Sequence, residues 1–331
     1  MGTFFAVFTR FSRSTASSNM KLLSLIIVIA LGSTASLSAE QPIETGHKVV
    51  NVVSLYYEAI GEGVPIVVVH GGPGLDHGYL LPQMAELAKG YRLIFYDQRA
   101  MGKSSADFDT SQMTMNSFVE DLEGIRKAFG LEKMNLMGHS WGGLVAMFYA
   151  IKYPSHLQSL ILVNTTPASS VLRNLSFGIM SLKTTKEDSI AQVQIAETEG
   201  FQKRDPAVMA KFFRLLFHAS FHNRQYADSL TLSFDSSYAA KSVMVHQLNN
   251  DTTLRSYDIF AKLDTIQCPV LIIGGSDDAV VPGANEKIRD HLHGAQYILM
   301  PGCGHFPFVE SPDKFFPAVR EFLKNPTQRN F

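Results

Sequence analysis

From Lys48 onward, short and uninterrupted aliphatic runs alternate with longer amphipathic stretches. Val49–Tyr57 reads as one or two antiparallel edge strands, whereas Ile66–Val69, Leu93–Tyr96, Met134–Met137, Leu160–Val163 and Val270–Ile273 read as buried strands. Between them, Asn116–Phe129 places Phe118, Leu122, Ile125 and Phe129 at helical spacing, and Leu144–Lys152 follows a strand almost directly. Strands that are apolar on both faces and separated by helices predict a parallel sheet covered on both sides, an α/β fold.

The alternation stops over residues 165–263, a stretch of helical character in which Phe212, Phe213, Leu215, Leu216, Phe217 and Phe221 crowd together. The sequence therefore divides into a core of residues 40–164 and 264–331 and a helical lid inserted over the carboxyl ends of the strands, where open α/β sheets bind ligands. No internal repeat interrupts this plan.

Composition narrows the function classes. In 331 residues, 29 cations face 30 acids, without the basic excess that neutralising nucleic-acid phosphates requires. Two cysteines are too few for a disulfide scaffold or a Cys-based zinc site. Residues 1–39 carry Arg10, Arg13 and Lys21 and no acid, then the aliphatic run Leu22–Leu31, then small residues up to Ser38-Ala39. That order predicts a secretory signal cleaved near Ala39, and hence a secreted or periplasmic protein without stable membrane insertion; an uncleaved N-terminal anchor is the alternative. Met20-Lys21 also suits the start of such a signal, making residues 1–19 an extension of it.

The chemistry concentrates at Gly138-His139-Ser140-Trp141-Gly142, a G-x-S-x-G between the strand Met134–Met137 and the following helix. In that context the turn is too tight for side chains two residues either side of the serine, and it lifts the hydroxyl into a site. A serine hydroxyl needs a base, and the base needs a carboxylate to orient it. Strand Val270–Ile273 runs into Gly274-Gly275-Ser276-Asp277-Asp278, and a further predicted strand, Tyr297–Met300, runs into Gly302-Cys303-Gly304-His305. His305 is the expected base. Asp277 and Asp278 compete for the acid; Asp278 is favoured, with Asp277 capping the turn. After strand Ile66–Val69, the run His70-Gly71-Gly72-Pro73-Gly74 lets backbone amides approach a developing oxyanion, the expected donors being the amides of Gly72 and Trp141.

Together, His70–Gly74, the stretch Asp97-Gln98-Arg99-Ala100-Met101-Gly102-Lys103-Ser104 and Gly138–Gly143 resemble the prolyl iminopeptidase family of α/β-hydrolases, over roughly residues 48–164 and 264–324. The resemblance implies serine-hydrolase chemistry without a cofactor, and release of an N-terminal residue, typically proline, from small peptides. Two departures stand out. Ala100 replaces the first glycine of the motif D-Q-R-G-x-G-x-S, and Trp141 is the chain's one tryptophan, whereas the family's lid is Trp-rich and carries a glutamate that grips the substrate amine. Only composition suggests amine-binding residues in this lid: Glu187, Asp188, Glu197 and Glu199. A carboxylic ester or small-molecule acyl hydrolase, and a non-catalytic binding protein of the same fold, are the alternative readings.

Several features carry less. Gly102-Lys103-Ser104 lacks a P-loop's leading glycine, since Asp97 occupies that position. His218 and His222 are four apart without the neighbouring glutamate of a zinc protease, and no metal site is expected. Cys268 and Cys303 are expected at opposite ends of the sheet, too far apart to bridge. The sequence carries no signal for oligomeric state.

Overall fold

The computed structural model of the chain describes residues 42–326, so the leader-like segment of residues 1–39 and the last five residues lie outside the described part. Eight strands form one sheet: β1 (Ile43–Val50), β2 (Val53–Ile60), β3 (Val64–Val69), β4 (Tyr91–Tyr96), β5 (Met134–His139), β6 (Leu157–Val163), β7 (Val270–Gly275) and β8 (Gln296–Met300). Their order is β1-β2-β4-β3-β5-β6-β7-β8. The first two pairings, β1 with β2 and β2 with β4, are antiparallel, and every later one is parallel. The predicted edge segment is thus a full hairpin that begins earlier than its apolar pattern suggests, because the β1 residues Ile43–Thr45 are exposed.

Along the central strands, alternate residues feed two cores. Val67, Val69, Leu136 and Leu162 pack with Phe118, Leu122 and Ile125 of the helix Met115–Ala128 and with the helix Trp141–Lys152. On the other face, Ile66, Val68, Met137 and Ile161 pack with Leu80, Met84, Phe315 and Val319, the last two on the helix Pro312–Lys324. Burial on both faces explains why these strands read as unbroken apolar runs.

The chain leaves β3 for β4 on one side and later returns to β5 on the other, so the strand order reverses at the β3/β5 junction. A crevice at such a reversal is where α/β sheets place ligands. The loop after β3 and the turn after β5 meet there, and β6, β7 and β8 end along the same rim.

No strand lies between Val163 and Val270. That stretch holds the helices Ser170–Lys183, Lys186–Ala196, Pro206–Phe217 and Tyr238–His246 with shorter turns between them. Both cysteines are buried and free. No described helix is long and apolar enough to cross a membrane.

Candidate active site

Ser140 sits between β5 and the helix Trp141–Lys152 with φ 56° and ψ −119°, a backbone conformation that L residues rarely adopt. The neighbouring glycines make this turn sterically feasible. A Cβ on Gly138 would run into the Gly142 carbonyl, and one on Gly142 into the carbonyls of Val69 and His70. The serine amide donates to the Val163 carbonyl at 3.0 Å, and its carbonyl accepts from Gly143 and Thr166, also at 3.0 Å, so the strained turn is pinned to the end of β6.

Asp278 and His305 meet as the strand-end pattern anticipates. His305 Nδ1 lies 2.9 and 3.0 Å from the two Asp278 oxygens. Burial opposes the Asp278 charge, but the His305 imidazole and hydrogen bonds from His305 and Asn164 outweigh it and hold the carboxyl below its ordinary value. Asp277 points elsewhere, pairing with His222 on the exposed side of the turn. The two loops are stitched together by backbone bonds from Ser276 to Met300 and from Asp277 to Cys303, which sets the reach between acid and imidazole.

Four further residues complete the polar framework. Asn164, at the end of β6, donates from one amide nitrogen to Asp278 Oδ2 at 2.7 Å and to the Gly304 carbonyl at 3.0 Å. The Tyr79 hydroxyl accepts from the Gly71 amide at 2.6 Å and lies 2.7 Å from His139 Nδ1. His139 Nε2 lies 2.9 Å from the His305 carbonyl. Because a carbonyl only accepts, the His139 proton resides on Nε2, and the tyrosine donates to Nδ1. Burial, reinforced by the nearby His305, pushes the His139 pKa down to about 3, so it stays neutral in this chain of bonds. Gln98 donates to the His70 carbonyl at 2.8 Å and accepts from the Trp141 indole at 2.9 Å.

The Asp97–Ser104 motif therefore braces the site from behind. Asp97 holds His77 and the Lys103 amide, Gln98 ties the glycine-rich loop to the elbow, and Arg99 forms a buried two-point pair with Asp121 at 2.7 Å. Ala100, where the motif usually has glycine, has φ 57°, so the departure places a Cβ in the left-handed region.

Ser140, His305 and Asp278 open into a cavity of about 530 Å³, lined also by Gly72, Trp141, Phe177, Met180, Phe213, Leu216, Phe217 and Leu254. Gly71 has its amide occupied by Tyr79, which leaves the neighbouring Gly72, at φ 126°, facing the cavity beside Trp141. Trp141 is the first residue of its helix, where backbone amides lack an intrahelical acceptor.

None of the four acids suggested by composition lines this cavity. Asp188 is buried against His218 at 3.0 Å and Arg224 at 2.7 Å, Glu199 pairs with Lys203, and Glu187 and Glu197 are exposed. Helical phase decides this: the insertion turns Phe213, Leu216 and Phe217 towards the cavity and Glu187, Glu197 and Glu199 to solvent, and it buries Asp188 in its pair with His218 and Arg224. Arg173 and Arg255 line the cavity instead. Sequence pattern gave no signal for Tyr79, Asn164 or the two arginines, and His139 occupies the unconstrained position of G-x-S-x-G. Among the described residues, no group of three or more His, Cys, Asp or Glu is placed to hold a metal ion.

The alpha/beta hydrolase fold family matches residues 64–312. A proline iminopeptidase of Lactobacillus crispatus is 31% identical over 278 residues, covering 81% of this chain and 94% of the relative. The crystal structure of a Mycobacterium smegmatis proline iminopeptidase superposes with a TM-score of 0.63 at 22% identity, over 86% of this chain and 99% of that one. An Exiguobacterium antarcticum esterase superposes equally well, with a TM-score of 0.62 at 20% identity over 85% and 100% of the two chains, so architecture alone does not separate the two activities. With this site at the strand ends and these matches across most of its length, the chain belongs to the α/β-hydrolases and, within them, to the proline iminopeptidase family.

Proposed function

We propose that the protein is a serine hydrolase that works through an acyl-enzyme on Ser140. The observation that carries this reading is the His305–Asp278 pair, which opens into the same cavity as a serine held in a strained strand-to-helix turn. In the proposed sequence, Ser140 Oγ attacks the substrate carbonyl as His305 takes its proton. His305 then returns the proton to the leaving group, and water releases the acyl group by the same steps in reverse roles. Asp278 fixes the imidazole through Nδ1, with Asn164 holding the carboxylate, and the amides of Gly72 and Trp141 receive the oxyanion. The pair speaks against the binding-protein alternative.

The substrate class that family membership supports is a small peptide, cleaved after its N-terminal residue, as the names of the relatives indicate for those proteins. A specific observation favours a second reading, a small carboxylic ester or amide. A charged amine in a partly dry pocket needs a carboxylate partner, and the one acid lining this cavity, Asp278, is engaged by His305 and Asn164. Labelling by a fluorophosphonate, abolished by Ser140→Ala, tests the hydrolase reading. Hydrolysis of prolyl and alanyl arylamides with free or acetylated N-termini, set against short-chain nitrophenyl esters, separates the two substrate classes. The order of charges, apolar run and small residues before Glu40 supports export, and N-terminal sequencing of protein from its host checks it: a start near Glu40 is expected, and an intact leader would favour the anchor.

A further inference from the structure

Two arginines with little solvent exposure are neutralised by carboxylates. Arg99 pairs with Asp121 and Arg126 with Glu123, each at 2.7 Å. Arg173, half-buried, and Arg255, exposed to solvent, lie on the wall of the substrate cavity. Arg173 comes from the helix Ser170–Lys183 and Arg255 from the short helix Thr252–Ser256, which packs against it. The Arg173 guanidinium lies 5.5 Å from the centre of the Tyr257 ring and otherwise meets only the Asn174 side chain, at 3.3 and 3.4 Å. Among the described residues, neither arginine forms an ion pair with a carboxylate.

Two guanidiniums on the wall of one largely apolar cavity favour an anion there, because both charges act on it. The guanidinium is also the side chain whose planar fork matches a carboxylate at two points. The same wall offers no free acid to a substrate amine. We propose that Arg173 and Arg255 form a subsite for a carboxylate carried by the substrate, so that this enzyme selects its substrate by an anionic end rather than by a free amine. This rests on the cavity being the substrate site of a Ser140 hydrolase. In the peptide reading the anion is the carboxylate of the leaving amino acid, as in a dipeptide; in the ester reading it belongs to a dicarboxylic half-ester.

Two substrate pairs test it: Pro-Gly against its C-terminal amide, and nitrophenyl monoglutarate against nitrophenyl pentanoate. In one pair at least, kcat/KM favours the anionic member by about tenfold or more, the size expected of a charge-assisted contact. The ratio collapses in Arg173→Gln/Arg255→Gln, recovers in part with lysine at both positions, shrinks as salt is raised, and is unchanged by Arg204→Gln, an arginine stacked on Phe201 outside the cavity lining. Calorimetry of glutarate binding to Ser140→Ala gives a readout independent of turnover, with binding lost in the added double arginine variant. Equal or better turnover of the neutral member in both pairs, or an anionic preference or glutarate binding that survives the double substitution, overturns the subsite. Failure of the hydrolase reading shows separately, as absence of both fluorophosphonate labelling and turnover.

Discussion

Tyr79 and His139 are joined by a buried hydrogen bond of 2.7 Å that links two of the loops on which the site is built. The tyrosine oxygen also receives the Gly71 amide, and the far side of the imidazole reaches the His305 carbonyl. One continuous chain of donors and acceptors thus runs from the glycine-rich loop after β3, through the turn at Ser140, to the loop that carries His305.

Tyr79→Phe removes the hydroxyl while keeping the ring, leaving the Gly71 amide and His139 Nδ1 buried without partners, at a cost of ~1–3 kcal/mol for each such group. Loosening of the two loops is expected to lower kcat by about tenfold or more with a smaller effect on KM, because neither group is needed to hold the ground-state substrate. Steady-state kinetics decide the point; a change confined to KM would place Tyr79 in substrate binding instead.

Asp278→Asn keeps the shape of the acid but favours the wrong imidazole tautomer, and a loss of roughly 10⁴ in kcat is expected. Asp277→Asn should stay within about threefold, since that carboxylate pairs with His222 at the exposed edge of the turn. Comparing the two variants on one substrate tests the assignment, and the reverse ranking would refute it.

Asp121→Asn breaks the two-point pair with Arg99, and the pair is almost fully buried. An uncompensated guanidinium in that place should cost about 3–5 kcal/mol of stability. Denaturant unfolding measures it, and a change below about 1 kcal/mol would mean that water reaches the site.

His77 supplies a pH signature. Burial alone would lower its pKa, but the hydrogen bond to Asp97 at 2.6 Å and the Glu58 carboxylate at 3.6 Å raise it to about 9. A histidine that binds its proton more tightly when folded stabilises the fold fully below the unfolded value of about 6.5 and loses that contribution as pH rises through about 9. The melting-temperature difference between wild type and His77→Gln should therefore be largest below pH 6.5 and narrow towards pH 9. A difference that grows with pH would show that His77 is neutral in the folded protein.

Much of this site was legible because its signals are local. Buried strands announce themselves as aliphatic runs, and a serine between glycines at a strand-to-helix junction has one steric solution, so the fold class, Ser140 and the strand-end positions of Asp278 and His305 follow from the chain as written. What the tertiary structure decided is how distant positions meet. Asp278 rather than Asp277 faces an imidazole 27 residues away, Tyr79 finds His139 across 60 residues, and His139 finds the His305 backbone across 166. Nothing in a local pattern encodes such pairings, because a polar side chain reads the same whether water or a buried partner satisfies it. The helical insertion shows the same limit: composition drew attention to its acids, but the rotation of each helix against the core turned Glu187, Glu197 and Glu199 to solvent, buried Asp188 against His218 and Arg224, and brought Arg173 and Arg255 to the cavity.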